Sequence, residues 1–205
     1  MIILISVKQV RDFAKDIMEE KRFLHAERTA QMSREITMAH NIDDDICNKI
    51  EIASMLHDIA RDMPEELLLS KAYKKDLNIN KYELEKPVLL HGKVGAEIVK
   101  SKLAIFDEDI LNAIRYHTSG RVGMSIVERV VMISDVIEIG RKFRGVEELR
   151  GMAMENLNDI FKRIIENKIV YFVQCGLFVL PKTYELWNHI LLKEANTDGK
   201  ELYIF

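Results

Sequence analysis

The sequence predicts an all-helical fold around one hydrophobic core. The 205 residues include only 3 prolines and 9 glycines, and 48% of them are hydrophobic. Apolar side chains recur every three or four residues along most of the chain, which is the spacing of one face of a helix. This length supplies enough apolar mass for one sizeable core and too little for two ordinary ones.

Ten helices are predicted, and residues that commonly begin or end helices support several of them. They span residues 7–19, 21–40, 43–61, 65–75, 92–103, 107–117, 125–140, 146–153, 156–175 and 182–194. Asp43, Asp107 and Ser125 each precede an apolar stripe and can cap a helix, and Glu128 is placed to close a capping box with Ser125. The run from Gly176 to Pro181 is expected to be a tight connection and not a strand, because glycine suits a helix end and proline a helix start.

The chain is divided into an N-terminal arm and helix (1–20), one helical domain (21–195) and a C-terminal tail (196–205). Its net charge of −3, from 30 basic and 33 acidic residues, gives no bulk attraction to nucleic acid or to anionic membranes. The longest apolar stretch, 169–180, falls short of the ~20 residues that a membrane span needs.

The N-terminal residues and the cysteine content predict a soluble cytoplasmic protein. No basic stretch precedes the apolar residues 1–7, so no secretory signal is expected. Cys47 and Cys175 form no C-x-x-C pair and cannot build a disulfide framework, which fits a reducing compartment.

Ionisable residues on apolar helix stripes are the most informative feature of the sequence. Val131, Met132 and Ile139 flank Asp135, so its carboxylate is expected to face the core. An unpaired buried carboxylate costs several kcal/mol and needs a basic partner or a metal ion. No basic residue shares these stripes, which favours the metal.

Four histidines and a second aspartate repeat this pattern on successive helices. They are His25, His57, Asp58, His91 and His117. A single histidine is more often a hydrogen-bonded core or surface imidazole than a ligand, but the whole set favours a metal site. Imidazoles and carboxylates without a thiolate suit hydrolysis by iron, manganese or zinc. His40, at a helix end, and His189, in the last helix, are expected to have no catalytic role.

The ordered set resembles the HD-domain metal-dependent phosphohydrolases, and more specifically the bacterial YqeK family of symmetrical diadenosine tetraphosphate hydrolases. The resemblance covers about residues 20–190. The His117-Thr118-x-Gly120-Arg121 motif makes the set specific, whereas an isolated His-Asp pair is weak. The matching stretches are 21–25, 56–60, 90–96, 113–121, 134–138, Arg141 and 145–150.

The resemblance implies a di-iron centre in an all-helical domain. One ion would be held by His25, His57, Asp58 and Asp135, and the other by His91 and His117, with Asp58 as the catalytic bridge. A hydroxide between the ions would then attack phosphorus. Phosphate contacts are expected from Thr118, Gly120 and Arg121 past the last histidine, and from Arg61 and Arg141 on more distal phosphates.

This sequence departs from the family pattern at two places. Arg61 stands where the family often has lysine, which keeps the cation but changes its geometry. Ile139 and Gly140 replace the usual proline-containing continuation, which puts the contacts of that loop in doubt.

Three functions remain open at this point. The first is hydrolysis of diadenosine tetraphosphate to two ADP, with a dinucleoside polyphosphate as the partner. The second is another nucleotide phosphohydrolase of the superfamily, such as a nucleotidase or a deoxynucleoside triphosphate hydrolase. The third is a non-catalytic nucleotide-sensing domain. A homodimer is also left open.

Overall fold

The computed structural model describes residues 5–198, and within that range the chain is helical with no strand. The helices are α1 (Val7–Ile17), α2 (Glu20–Ala39), α3 (Asp44–Leu56), α4 (Glu65–Lys74), α5 (Lys81–Glu85), a 3₁₀ helix (Pro87–Leu90), α6 (His91–Leu103), α7 (Glu108–Tyr116), α8 (Ile126–Ile137), α9 (Val146–Glu155), α10 (Leu157–Gln174) and α11 (Pro181–Asp198). The all-helical prediction is confirmed.

The centre of the fold is the packing of α2, α3, α7 and α8 against one another. Their apolar faces enclose Ile36, Ile50, Ile114 and Met132, which are all 0% exposed. Burying each such side chain is worth about 1.5–3 kcal/mol. This packing brings the end of α3 close to Asp135 in the last turn of α8.

The capping signals in the sequence are confirmed. Asp43 and Asp107 accept from backbone N–H groups in the first turns of α3 and α7. Ser125 and Glu128 form the expected capping box at the start of α8. The left-handed Gly176, with φ of 64°, follows the end of α10, and the connection to α11 at Pro181 contains no strand.

Two predicted helix ends are wrong by several residues. Helix α3 ends at Leu56 and not at residue 61, and α8 ends at Ile137 and not at residue 140. In α3 the His57 side chain takes over a carbonyl of the last turn, that of Ser54. The chain then continues as tight turns, with the Arg61 N–H donating to the Asp58 carbonyl.

Helix α5 and the 3₁₀ helix are absent from the sequence prediction. Five and four residues are too few to show an apolar period. Asn80 and Glu83 form a capping box there, which is the signal that could have located α5. At the other end, α11 runs past residue 194 to Asp198. Residues 1–4 of the expected arm and 199–205 of the expected tail lie outside the described residues.

Membrane crossing has no support among residues 5–198, where no helix combines the length and the apolar character that a span requires.

Gly92 allows α6 and α7 to approach closely at the point where His91 begins α6. A Cβ at this position would lie 2.7 Å from the Arg115 carbonyl oxygen and 2.9 Å from that of Ile114. Both obstacles are backbone atoms, so one helix must move to make room.

We predict that Gly92→Ala lowers the free energy of unfolding by about 1–3 kcal/mol, the usual cost of overpacking. Gly151→Ala is the matched control, because Gly151 lies in α9 and a Cβ added there would meet no atom within 4 Å. Alanine at that position should stabilise the protein by roughly 0.5–1 kcal/mol through helix propensity. Urea unfolding of both variants checks the pair, and equal effects would contradict this account of Gly92.

Candidate metal centre

Four histidine rings form a row through the interior, in the order His25, His57, His117 and His91. Successive ring centroids are 5.2, 4.9 and 4.9 Å apart. His25 lies on α2, His91 begins α6, and the other two follow the last residues of α3 and α7. All four residues are at most 7% exposed, so helices distant in sequence deliver four imidazoles to one buried centre.

Each ring is held through its Nδ1 atom. His57, His91 and His117 place Nδ1 at 2.7, 2.6 and 2.8 Å from the carbonyl oxygen three residues earlier. His25 places Nδ1 at 3.2 Å from a carboxylate oxygen of Glu138. A carbonyl or carboxylate oxygen can only accept, so Nδ1 carries the proton and donates. The Nε2 lone pairs are therefore free to face the centre, as in metal-ligating histidines.

The two carboxylates complete the centre. Asp58 Oδ1 lies 3.3 Å from His91 Nε2 and 3.4 Å from His117 Nε2, while its Oδ2 lies 3.7 Å from His57 Nε2. Its two oxygens thus face different imidazoles. Asp135 Oδ1 lies 3.0 Å from His25 Nε2 and 3.8 Å from His57 Nε2.

These residues fit divalent metal ions. The Nε2 atoms of His25 and His57 are buried and have no hydrogen-bond partner among the described residues. Those of His91 and His117 are 3.0 Å apart, and two lone pairs at that separation need a cation or proton between them. Ligand atoms bound at about 2.0–2.2 Å to one ion lie about 3–3.5 Å from each other. In two groups the ligand atoms all lie within 4.8 Å of one another, close enough for small shifts to bring them onto one ion: His25, His57 and Asp135, and His57, Asp58 and His117.

The electrostatics keep both acids ionised and favour neutral His57 and His91, whereas at His25 the hydrogen bond and charge of Asp135 outweigh burial and raise the pKa. Burial raises the pKa of Asp58, but its interactions with the imidazoles of His57, His117 and His91 outweigh burial and hold that pKa well below its ordinary value. Asp135 behaves in the same way, with His25 as its main counterpart and a lowered pKa. Burial lowers the pKa of His57 to about 4, and it also lowers that of His91. These are the protonation states that metal ligands require.

The expectation that no basic residue neutralises these acids is wrong. Arg22 Nη1 donates to Asp58 Oδ2 at 2.6 Å, and the same guanidinium binds Asp62. Arg141 Nη2 donates to Asp135 Oδ1 at 2.7 Å. The first arginine comes from another helix and the second from the loop after α8, so neither lies on the stripe that carries its acid.

Three more residues at the centre were not singled out from the sequence as site residues. Glu138 is 2% exposed and orients His25, and Arg28 Nε donates to its other oxygen at 2.8 Å. Lys168 reaches in from α10 and donates to the carbonyls of His117 and Thr118. Burial lowers the pKa of Lys168 to about 8. Ile164 and Ile165, four and three residues before Lys168 on α10, are buried, so this lysine also lies on an apolar stripe, and that spacing is the signal that could have found it.

The expected phosphate contacts are placed unevenly around the centre. Thr118 Oγ1 lies 3.0 Å from His117 Nε2 and 3.5 Å from His91 Nε2, at the end of the row. Arg61 is half-buried in the turn after Asp58, and its guanidinium has no hydrogen bond or ion pair within residues 5–198. Arg141 contacts Asp135, as described above.

Gly120 and Arg121 have protein partners of their own. The Gly120 N–H donates to the Tyr116 carbonyl at 2.8 Å, so a phosphate contact at that N–H requires this bond to break. Arg121 binds the buried Glu128 through Nε at 2.8 Å and Nη2 at 2.5 Å. Its phosphate contact stays a prediction, and replacing Arg121 would also leave the Glu128 carboxylate unpaired.

The two excluded histidines lie outside the centre. His40 ends α2 and donates Nε2–H to the Ala153 carbonyl at 2.8 Å. His189 is half-buried on α11 and lines a separate surface groove with Leu186 and Lys162.

Comparison with known proteins agrees with this geometry. The family model described as "HD domain" matches residues 22–140, the segment that carries all six residues of the centre. The symmetrical bis(5'-nucleosyl)-tetraphosphatase of Bacillus subtilis is 34% identical over 177 residues, which are 86% of this chain and 93% of that protein. The protein of the same description from Staphylococcus aureus is 31% identical over 90% of this chain and 94% of its own length.

A solved structure extends the likeness to the fold. It is the Clostridium acetobutylicum protein described as a "predicted HD superfamily hydrolase involved in NAD metabolism". The match has a TM-score of 0.84 and 31% identity, and covers 93% of this chain and 99% of that one. The chain therefore belongs to the HD-domain family and, within it, to the family of the symmetrical bis(5'-nucleosyl)-tetraphosphatases.

Proposed function

We propose that this protein is a metal-dependent phosphoanhydride hydrolase that splits diadenosine tetraphosphate into two ADP molecules. The observation that carries this proposal is the row of four tautomer-fixed imidazoles beside two ionised carboxylates. The description of its relatives as symmetrical tetraphosphatases supports the choice of substrate. A sensing domain that does not catalyse has no need of six intact ligands.

One ion would be held by His25, His57, Asp58 and Asp135, and a second by His91 and His117 with Asp58 shared. The distances from Asp58 to three imidazoles, 3.3–3.7 Å, support the sharing. Two ions at such a centre supply a water of lowered pKa and polarise phosphoryl oxygens.

The protein's own groups hold the acids and the phosphates. Arg22 and Arg141 keep Asp58 and Asp135 oriented and ionised through charge-assisted hydrogen bonds. The Thr118 hydroxyl, next to His117 and His91, donates to a phosphate oxygen at that end of the row. Arg61, free of protein partners among the described residues, neutralises phosphates further from the centre.

Basic groups at both ends of the row support a symmetrical cut. Arg28 and Arg141 lie beside the His25 end. Arg115 and Lys182 lie beyond the His91 end, with Thr118 in a shared cavity. A tetraphosphate held from both sides has its central anhydride over the centre, which places equal halves on either side.

Iron is the resident ion that we propose, with manganese and zinc as alternatives, because nitrogen and carboxylate ligands without a thiolate suit all three. Both Cys47 and Cys175 are free, which fits a reducing cytoplasm. The expected partner is the dinucleotide and neither nucleic acid nor a membrane, and a homodimer stays open.

The metal content is the first test. Protein loaded with iron should contain about two ions per chain, because the shared Asp58 completes two sites. Loading at a hundredfold excess over Kd should add about 2.7 kcal/mol of stability for each ion, so two ions should raise Tm by about 10–20 °C for a chain of this size. Elemental analysis and thermal unfolding check this, and less than about one ion per chain would overturn the dinuclear centre.

The second test is the bridging carboxylate. Asp58→Ala should reduce turnover more than a hundredfold, since losing even an outer partner of a metal ligand costs about 10–100-fold. His40→Ala and His189→Ala are the controls and should stay within a few-fold of the unchanged protein, because both lie outside the centre. Loss of turnover in His189→Ala with metal content and fold intact would contradict the ligand assignment.

The third test is the position of cleavage. Diadenosine tetraphosphate should give ADP as the sole nucleotide, and hydrolysis in oxygen-18 water should label the ADP. Chromatography and mass spectrometry of the products check both points. ATP together with AMP would refute the symmetrical cut, and rapid phosphate release from mononucleotides without cleavage of the dinucleotide would favour another nucleotide phosphohydrolase.

A further inference from the structure

A cavity of about 270 Å³ opens beyond the His91 end of the imidazole row. Its walls come from the start of α6, the end of α7, the segment before α5 and the first turn of α11. Among the residues that line it are Gly92 and Lys93, Arg115 and Tyr116, Thr118, and Lys182. Residues next to His91 and His117 in the chain therefore form the wall beside the centre.

Thr118 joins the cavity to the centre. It lines the cavity, and its hydroxyl oxygen is 3.0 Å from His117 Nε2. The Thr118 side chain therefore lies between a molecule that fills the cavity and the proposed metal ligands. The cavity thus lies next to the His91 end of the row with the Thr118 side chain between them, and a substrate that reaches from the centre into the cavity would pass Thr118.

Three cations gather around Tyr116 of the cavity wall, and two of them, Arg115 and Lys182, line the cavity themselves. Arg121, Lys182 and Arg115 place their charged groups 5.3, 5.4 and 6.0 Å from the centroid of Tyr116. Such contacts between a cation and an aromatic face hold the charged groups in place without neutralising them. These cations share the wall with two acids, Glu83 and Glu185.

Lys182 differs from the other cations in and beside this wall because it forms no ion pair among the described residues, although Glu185 lines the same cavity. Lys93 is paired with Glu83 at 2.7 Å, and Arg121 is paired with Glu128. Arg115 donates to Asn112 and lies 3.7 Å from Glu108. Lys182 is exposed, and within the part of the chain that the structure describes its ammonium contacts only the Tyr116 ring.

We propose that this cavity is the subsite for one nucleoside diphosphate half of the substrate and that Lys182 binds the phosphates of that half. This inference rests on the proposed function for the identity of the whole substrate. A phosphate chain that extends from the centre past Thr118 reaches Lys182, which forms no ion pair with an acid within residues 5–198. The mixed polar and apolar lining, with Leu89 and Leu180 beside Asn78, then suits the nucleoside.

The experiment compares Lys182→Ala and Lys182→Arg with the control Lys102→Ala, in which an exposed lysine on α6 that does not line this cavity is removed. Calorimetry with the metal-loaded full chain measures the binding of ADP, inorganic pyrophosphate and adenosine. Lys182→Ala should weaken ADP and pyrophosphate about tenfold, the usual effect of losing a charge-assisted contact at a partly exposed site. Adenosine binding should not change, and arginine should restore most of the ADP affinity.

Steady-state kinetics with diadenosine tetraphosphate provide the second readout. If Lys182 binds one half of the substrate, Lys182→Ala should raise the KM for the dinucleotide and the inhibition constant of ADP by similar factors. Equal ADP affinity in Lys182→Ala and Lys102→Ala would overturn the subsite, as would an equal loss for adenosine and ADP. If the unchanged protein does not hydrolyse the dinucleotide, the proposed function fails, whereas a Lys182-dependent affinity for ADP would still support the subsite.

Discussion

The burial of two ionised carboxylates among four imidazoles is the constraint on which the rest of this structure depends. Asp58 is 6% exposed and His57 is 0% exposed, so neither can rely on water. Ionised groups in such a place are tolerated only with opposite charges and complete hydrogen bonding. The Nδ1–H bonds to carbonyls supply the hydrogen bonding, and cations at the centre supply the opposite charge.

The positions of the helix ends follow from this constraint. A histidine directly after α3 or α7 satisfies a carbonyl that the last turn leaves without a partner, and the same bond fixes its tautomer. The centre is therefore built where helices stop, which also lets a tight turn present Asp58 beside His57. Gly92 belongs to the same arrangement, because only a residue without a Cβ lets α6 and α7 meet where His91 and His117 face each other.

A surrounding set of arginines balances the acids and gives the centre its relation to phosphates. Arg22 and Arg141 each bind a carboxylate of the centre, and Arg28 binds Glu138, which in turn orients His25. Guanidinium groups suit both carboxylate and phosphate oxygens, since their planar donors match either. Arginine side chains thus keep the carboxylates of the centre oriented and are suited to an anionic substrate. The cavity at the His91 end of the row adds two more cations, Arg115 and Lys182.

The sequence by itself determined the helical fold class, the capped starts of α3, α7 and α8, and the histidines and aspartates of the centre. Apolar spacing and capping are local properties, and an ionisable residue on an apolar stripe is visible without any partner. Tertiary structure alone decided the pairing of Arg22 with Asp58, of Arg141 with Asp135 and of Arg121 with Glu128. The partner of Arg22 depends on which helices pack together, and the partners of Arg141 and Arg121 depend on how the loops that carry them fold back on α8; the pattern of apolar residues records neither.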